Sequence, residues 1–137
     1  MQLFISLQQY GDLGILILRA AVGIIFLVHG SEKWKMWKMA PSEQMPAKML
    51  NIIKLLSIVE PLGAIALMAG FLTPFASLGL GIIMLGAIYM KTRVWKNGFT
   101  SKQGMGWEFD FLILAVCCAI LIFGAGALSL DYLFFGL

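Results

Sequence analysis

The sequence predicts an all-α integral membrane protein, a four-helix bundle, and three observations lead there. First, 61% of the 137 residues are hydrophobic and only 12% are charged, with a mean hydropathy of +0.92. Soluble domains carry about 45–50% apolar and roughly 25% charged residues, so a water-soluble fold of this length has nowhere to hide so much apolar surface. Second, the apolar residues gather into four segments, and almost all the charge lies between them. Third, these segments do not alternate. A membrane-spanning strand needs ~10 residues of alternating polarity, whereas "LGIIMLGAIY" is apolar throughout.

The first segment runs from Leu13 to Gly30, the second from Ile52 to Leu72, the third from Phe75 to Met90 and the fourth from Phe109 to Leu128. Each approaches the ~20 residues that cross a ~30 Å hydrocarbon core, and the third is the shortest. A cleaved signal peptide is the alternative for the first segment. Against it, residues 1–12 carry no Lys or Arg, and Ser31-Glu32-Lys33-Trp34 is a poor cleavage site. No soluble domain, linker or low-complexity tract interrupts the pattern, so one domain is expected over residues 1–137. The mixture of Trp, Met and Lys in Trp34–Lys48, broken by Pro41 and Pro46, suits a short interfacial helix.

Charge sets the expected topology. Lys33, Lys35, Lys38, Lys48 and Lys54 lie in or beside the first connection, and Lys91, Arg93, Lys96 and Lys102 in the third. The second connection, around Leu72-Thr73-Pro74, has no basic residue, and neither do the termini. Positive loops stay cytoplasmic. Both termini are therefore expected on the periplasmic or extracellular side of a cell (inner) membrane. Trp34, Trp37, Trp95 and Trp107 fall in the basic connections, while Tyr10 and Tyr132 flank the opposite side, as interfacial anchors do. The net charge of +3 thus reads as topology and lipid-headgroup contact. Basic residues split over two short loops form no nucleic-acid motif.

Small residues supply the expected packing seams, because close backbone approach replaces the hydrophobic effect in lipid. Ser77 and Gly81 are four apart, Ala66 and Gly70 repeat the spacing, and Gly63 and Gly86 extend the set. Packing within the bundle and a homo-oligomeric seam both use such spacing. Pro61 supplies no N–H, so the carbonyl of Ser57 loses its helical partner and a kink is expected beside Glu60.

Three ionisable residues, Arg19, His29 and Glu60, lie in or at the edge of these segments. An ionised group at membrane depth costs roughly 2.5–3.5 kcal/mol on insertion scales, so each is a candidate functional residue. At ~1.5 Å per residue, Arg19 lies about 15 Å deeper than His29, and Glu60, counted from Ile52, lies between them. Positions 19 and 29 lean towards a shared half of the helix, about 80° apart. A buried Arg19–Glu60 pair with His29 near the mouth is therefore expected. Two readings follow: a structural clasp, or a polar site that binds a small ligand or carries protons, with His29 titrating near neutrality.

These residues carry a resemblance. "LRAAVGIIFLVHGSEKW" is similar to the opening signature of the DoxX family, with Arg19, Gly23, His29-Gly30 and Lys33. "IVEPLGAIALMAGFLTPFASLGLGIIML" resembles its second and third helices, "KNGFTSKQGMGWEFDFLIL" its Asn-Gly-Phe loop with a Glu opening helix four, and "GAGALSLD" its ending. The likeness spans almost the whole chain. It implies a four-helix membrane bundle and adds Asn97 and Glu108 as secondary candidates. The family takes its name from a subunit of a thiosulfate:quinone oxidoreductase, and members are associated with thiol and oxidative-stress systems. The resemblance thus implies an accessory subunit beside a redox partner protein, with a quinone as a possible ligand and no covalent cofactor.

The residues themselves carry no self-contained catalytic motif. Cys117 and Cys118 are adjacent; neighbours on a helix point about 100° apart, unsuited to a disulfide, and no Cys-x-x-Cys poises a thiol. One His and two adjacent Cys do not make a zinc site, and no Gly-rich nucleotide loop follows a strand. Two functions remain open: an accessory redox subunit holding a quinone or lipid-like ligand, or a structural or carrier protein clasped by Arg19 and Glu60. A quinone's carbonyl oxygens would accept from Arg19 or His29, so an apolar pocket touching the trio separates the two.

Overall fold

The computed structural model describes residues 9–43, 45–100 and 106–136, and every regular element among them is helical. Helix α1 spans Gly11–Lys33, with Asp12 in its first turn and Lys33 in its last, each favourable against the helix dipole. A single 3-10 turn, Trp34–Lys38, follows. Helix α2 spans Ala47–Ala69. It starts earlier than apolarity alone predicted, because Pro46 sits at its N-cap and the polar first turns are good helix formers. It ends at Gly70, whose φ of +67° suits a left-handed C-cap.

Helix α3 covers Thr73–Tyr89 with Pro74 in its first turn, then continues through a π turn, Met90–Val94. Helix α4 covers Glu108–Phe123. The expected end at Leu128 is corrected: Gly124 and Gly126 both take positive φ, so the chain turns back after Phe123. With 16 residues, α4 rather than α3 is the shortest of the four. A short helix α5, Leu130–Phe135, was not expected; it is capped by the Ser129 hydroxyl, which accepts from the Tyr132 N–H at 3.1 Å.

Gly11–Lys38, Ala47–Ala69 and Thr73–Val94 are long and apolar enough to cross a membrane. Helix α4 is shorter and packs alongside them. Its start is tied to the end of α3 by a Lys91–Asp110 ion pair at 2.6 Å, and just past its end Gly126 and Ala127 reach Asp12 at the start of α1. The four helices pack in a ring, α1 on α2, α2 on α3, α3 on α4 and α4 on α1.

Val22 and Phe26, Ala64 and Leu67, Leu80 and Met84, and Ile113, Cys117 and Ile120 form the core. Much of the large apolar surface elsewhere faces outward, including Ile17, Leu55, Leu62, Phe75, Ile82 and Ile122. This inversion suits a hydrocarbon solvent. The small residues act within the chain: Gly81 meets Cys117 and Leu114, Gly63 meets Leu80, and the Ser77 hydroxyl donates to the Cys117 carbonyl at 3.0 Å. Gly86 has no neighbour within 4 Å to pack against. Cys117 is buried and Cys118 exposed; both are free thiols.

Candidate functional site

Arg19 and Glu60 are both buried in the bundle, at 0% and 1% exposure. They do not meet. The expected pair is corrected by the register of α1 on α2. Cβ atoms placed on the small residues of α1 show which turns face each other. One at Gly23 would strike Met68 and approach the Ala64 carbonyl, and one at Gly30 would lie 2.6 Å from the Pro61 ring and 3.4 Å from the Glu60 Cβ. Arg19 instead lies against Gly70, ten residues from Glu60 along α2 and therefore about 15 Å away along the axis. Helix α2 was counted from Ile52, but it begins at Ala47 and extends beyond the end of α1. That offset moves Glu60 level with Gly30.

Each charge has other neighbours. Arg19 Nη2 donates to the Leu128 carbonyl at 2.5 Å, and its Nε and Nη1 have no hydrogen-bond partner among the described residues. The buried Asp131 carboxylate acts on it through its charge without an ion-pair contact. Asp131 also caps α3. Its two carboxylate oxygens accept from the Leu72 and Thr73 N–H groups at 2.7 and 2.8 Å, and its own N–H donates to the Gly70 carbonyl at 2.8 Å. Burial alone would raise the Asp131 pKa, but the Thr73 and Leu72 donors and the Arg19 charge outweigh it and hold the group below the usual carboxylate range. The same contacts hold Leu72 at a φ of +49°, unusual for a non-glycine residue. Gly70 must be glycine: a Cβ there would strike the Arg19 guanidinium and lie 2.5 Å from the Ser129 Cβ.

The opposite, basic end is built around Pro61. Glu60 is ion-paired with Lys33. The Ser57 carbonyl, which Pro61 leaves without a helical partner, accepts from the Trp34 indole N–H at 2.8 Å. The Trp37 indole donates to the Ser57 hydroxyl at 2.8 Å, and that hydroxyl donates to the Lys54 carbonyl at 2.7 Å. The 3-10 turn is thereby stitched to α2. Beside this seam lies a groove of about 650 Å³ between α1 and α2, open on one side. Leu27, Ile58, Leu62 and Ile65 give it apolar walls; Ser31, Ser57, Trp34 and Trp37 line the part nearer the basic end.

The groove touches none of Arg19, His29 and Glu60. His29 is half-buried, its ring 6.3 Å from that of Phe109 on α4. Asn97 is half-buried in the third connection, its N–H donating to the Lys91 carbonyl at 2.8 Å. Glu108 is exposed at the first position of α4. The buried carboxylate of that turn is Asp110, paired with Lys91. Lys102, one of the expected basic residues, lies outside the described residues.

The sequence reading missed Lys33, Asp110, Asp131 and the two indoles as partners. The clue to Trp34 was present: Pro61 predicted an unpartnered Ser57 carbonyl, and two indole N–H donors lie in the connection that leads into α2. The clue to Asp131 was an isolated carboxylate just past a Gly-Ala-Gly break, able to reach a helix start.

Outward-facing apolar helices, Trp gathered at the basic end with Tyr10 and Tyr132 at the other, and Arg19 and Glu60 kept inside the bundle define a polytopic helical membrane protein. The chain belongs to the DoxX family, whose model matches residues 14–93. It is similar to the Bacillus subtilis (strain 168) protein named "Putative oxidoreductase CatD", 28% identical over 124 residues, which cover 88% of this chain and 86% of that protein. No solved structure matches.

Proposed function

We propose that this DoxX-family protein is an accessory subunit of a membrane redox or thiol and oxidative-stress system, and that it holds a quinone or lipid-like ligand in the α1–α2 groove. The observation that carries this reading is the groove itself: an apolar cleft of about 650 Å³ opening sideways between two membrane-length helices. Pockets of about 300–1,000 Å³ with apolar walls and a few placed polar groups are the usual form of small-molecule sites. The oxidoreductase name of the Bacillus relative supports a redox setting. The basic end faces the cytoplasm in this reading, with four crossings and both termini outside.

The site therefore moves away from the polar trio. Arg19 serves as a clasp in this reading: it lies against Gly70, bonds the Leu128 carbonyl, and does not line the α1–α2 groove. Glu60 and Lys33 brace the seam beside the groove. Purification in a mild detergent, followed by mass spectrometry of bound lipids, quinones and proteins, tests the proposal. Retained prenyl quinone or lipid together with an oxidoreductase partner is the expected result. A chain that emerges without either, and whose Trp emission does not respond to added quinone or lipid, would overturn it.

A further inference from the structure

We propose that the groove's occupant is an amphiphile with an anionic head, an acidic phospholipid, whose phosphate is held at Lys54. The inference rests on the reading of the groove as a ligand site and narrows its chemistry. Lys54, Ile58, Pro61 and Ile65 recur at intervals of four, three and four residues, so they form one stripe along α2. Ile58, Pro61 and Ile65 line the groove, and Lys54 continues the stripe at its basic end. From Lys54 to Ile65 the stripe is about 16 Å long at the helical rise.

Three chemical zones follow one another along that length. Leu27, Leu62 and Ile65 are purely apolar; Ser31 and Ser57 come next with hydroxyl groups; the Lys54 ammonium, not itself part of the lining, lies 6.0 Å from the ring centroid of Trp37, which does line the groove. A phospholipid has the same order of chain, ester and phosphate. The Trp rings sit where aromatic side chains favour the headgroup boundary.

The donors decide between a charged and a neutral head. Both indole N–H groups are already used by Ser57, and the Ser31 hydroxyl donates to the Val28 carbonyl at 2.8 Å. A neutral carbonyl head would find no free donor among these three groups and would leave the positive charge at this end uncompensated. The Lys54 ammonium is different: among the described residues it forms neither an ion pair nor a hydrogen bond, so its three donors are available. Lys35 and Lys38, both in the adjoining 3-10 turn, add positive field at this end. Lys33 does not contribute, because Glu60 neutralises it.

The test uses the full chain in a neutral maltoside detergent, with quenching of Trp emission by brominated-chain phosphatidylglycerol, brominated-chain phosphatidylcholine and a short-chain ubiquinone. Phosphatidylglycerol is expected to quench at a several-fold lower mole fraction than phosphatidylcholine. Lys54→Gln should reduce that preference about fivefold, the effect of one lysine near an anionic head. Ser31→Phe, which fills the groove from an exposed position, should weaken quenching by every lipid, and Ile65→Phe repeats the test from the other wall. Equal quenching by both phospholipids, a preference that survives Lys54→Gln, or tighter binding of ubiquinone would overturn the anionic head while leaving the groove as a site. Quenching unaffected by both groove-filling variants would instead overturn the groove reading.

Discussion

A double-mutant cycle on Arg19 and Asp131, with Glu60 as the control position, tests the internal register of the bundle. Two opposite charges at 4 Å attract by about 4 kcal/mol at an effective dielectric of 20, and at the roughly 15 Å that separates Arg19 from Glu60 by about 1 kcal/mol. Arg19 and Asp131, beyond ion-pair contact, fall between these limits. The distant term shrinks further because each charge has a nearer opposite charge, Asp131 for Arg19 and Lys33 for Glu60. Arg19→Leu alone should cost about 1–3 kcal/mol, since it removes the Leu128 bond and the charge facing a buried carboxylate. Asp131→Asn should cost a similar amount, because it removes the charge facing the guanidinium and weakens the cap on α3. The double variant should lose much less than their sum, with a coupling of roughly 1–3 kcal/mol. Arg19→Leu combined with Glu60→Gln should be additive to within about 0.5 kcal/mol. The assay is reversible unfolding in mixed micelles, followed by helical circular dichroism against denaturing detergent. Strong coupling of Arg19 to Glu60 and none to Asp131 would refute the register described here.

The pH dependence has a definite sign. The folded Asp131 is held below the unfolded value of about 3.9, so its contribution is fully present above that pH and is lost as pH falls through the depressed folded value. Acid titration of unfolding should therefore show a wild-type loss below pH ~4 that Asp131→Asn lacks. Gly30→Ala places a Cβ 2.6 Å from the rigid Pro61 ring and should destabilise by about 1–3 kcal/mol, measured in the same assay. Trp34→Phe should cost roughly 1–3 kcal/mol by orphaning the Ser57 carbonyl, and adding Pro61→Ala should recover part of it, because an alanine there restores the helical N–H donor. A reporter fused after Leu137 should be active in the bacterial periplasm, and a cytoplasmic signal would contradict the charge-based orientation.

Composition made the solvent legible, and with it the helical class. In lipid the backbone must satisfy itself, so long apolar segments have few alternatives to helix. The segment ends were less legible, since a helix continues into polar sequence wherever caps allow. Pro46 advanced the start of α2, and Gly124 stopped α4 early. Burial of Arg19 and Glu60 was readable because a lipid-facing charge is expensive. Their partners were not. Pairing depends on how far one helix slides along its neighbour, and that offset is set by close contacts such as Gly30 on Pro61. Counting residues from assumed ends carries the boundary error directly into the register. A shift of about ten residues replaced the expected pair by Lys33 against Glu60 and by the Leu128 carbonyl against Arg19.

The two ends of the bundle solve different physical problems, and the difference points to where function resides. At the Tyr10 and Tyr132 end, Asp131 bonds the Leu72, Thr73 and Gly70 backbone, and Arg19, packed on Gly70, bonds the Leu128 carbonyl. Replacing Arg19 or Asp131 removes one of these buried polar contacts. At the basic end, the Lys33–Glu60 ion pair and two indole bonds to a single serine hold the chain between α1 and α2, beside a helix where Pro61 has removed a backbone donor. Those two bonds are neutral, each worth about 0.5–1.5 kcal/mol net. The buried arginine, the most conspicuous charge in the sequence, thus belongs to the packing of one end, and in the reading proposed above the ligand contacts fall to Lys54 and the groove at the other.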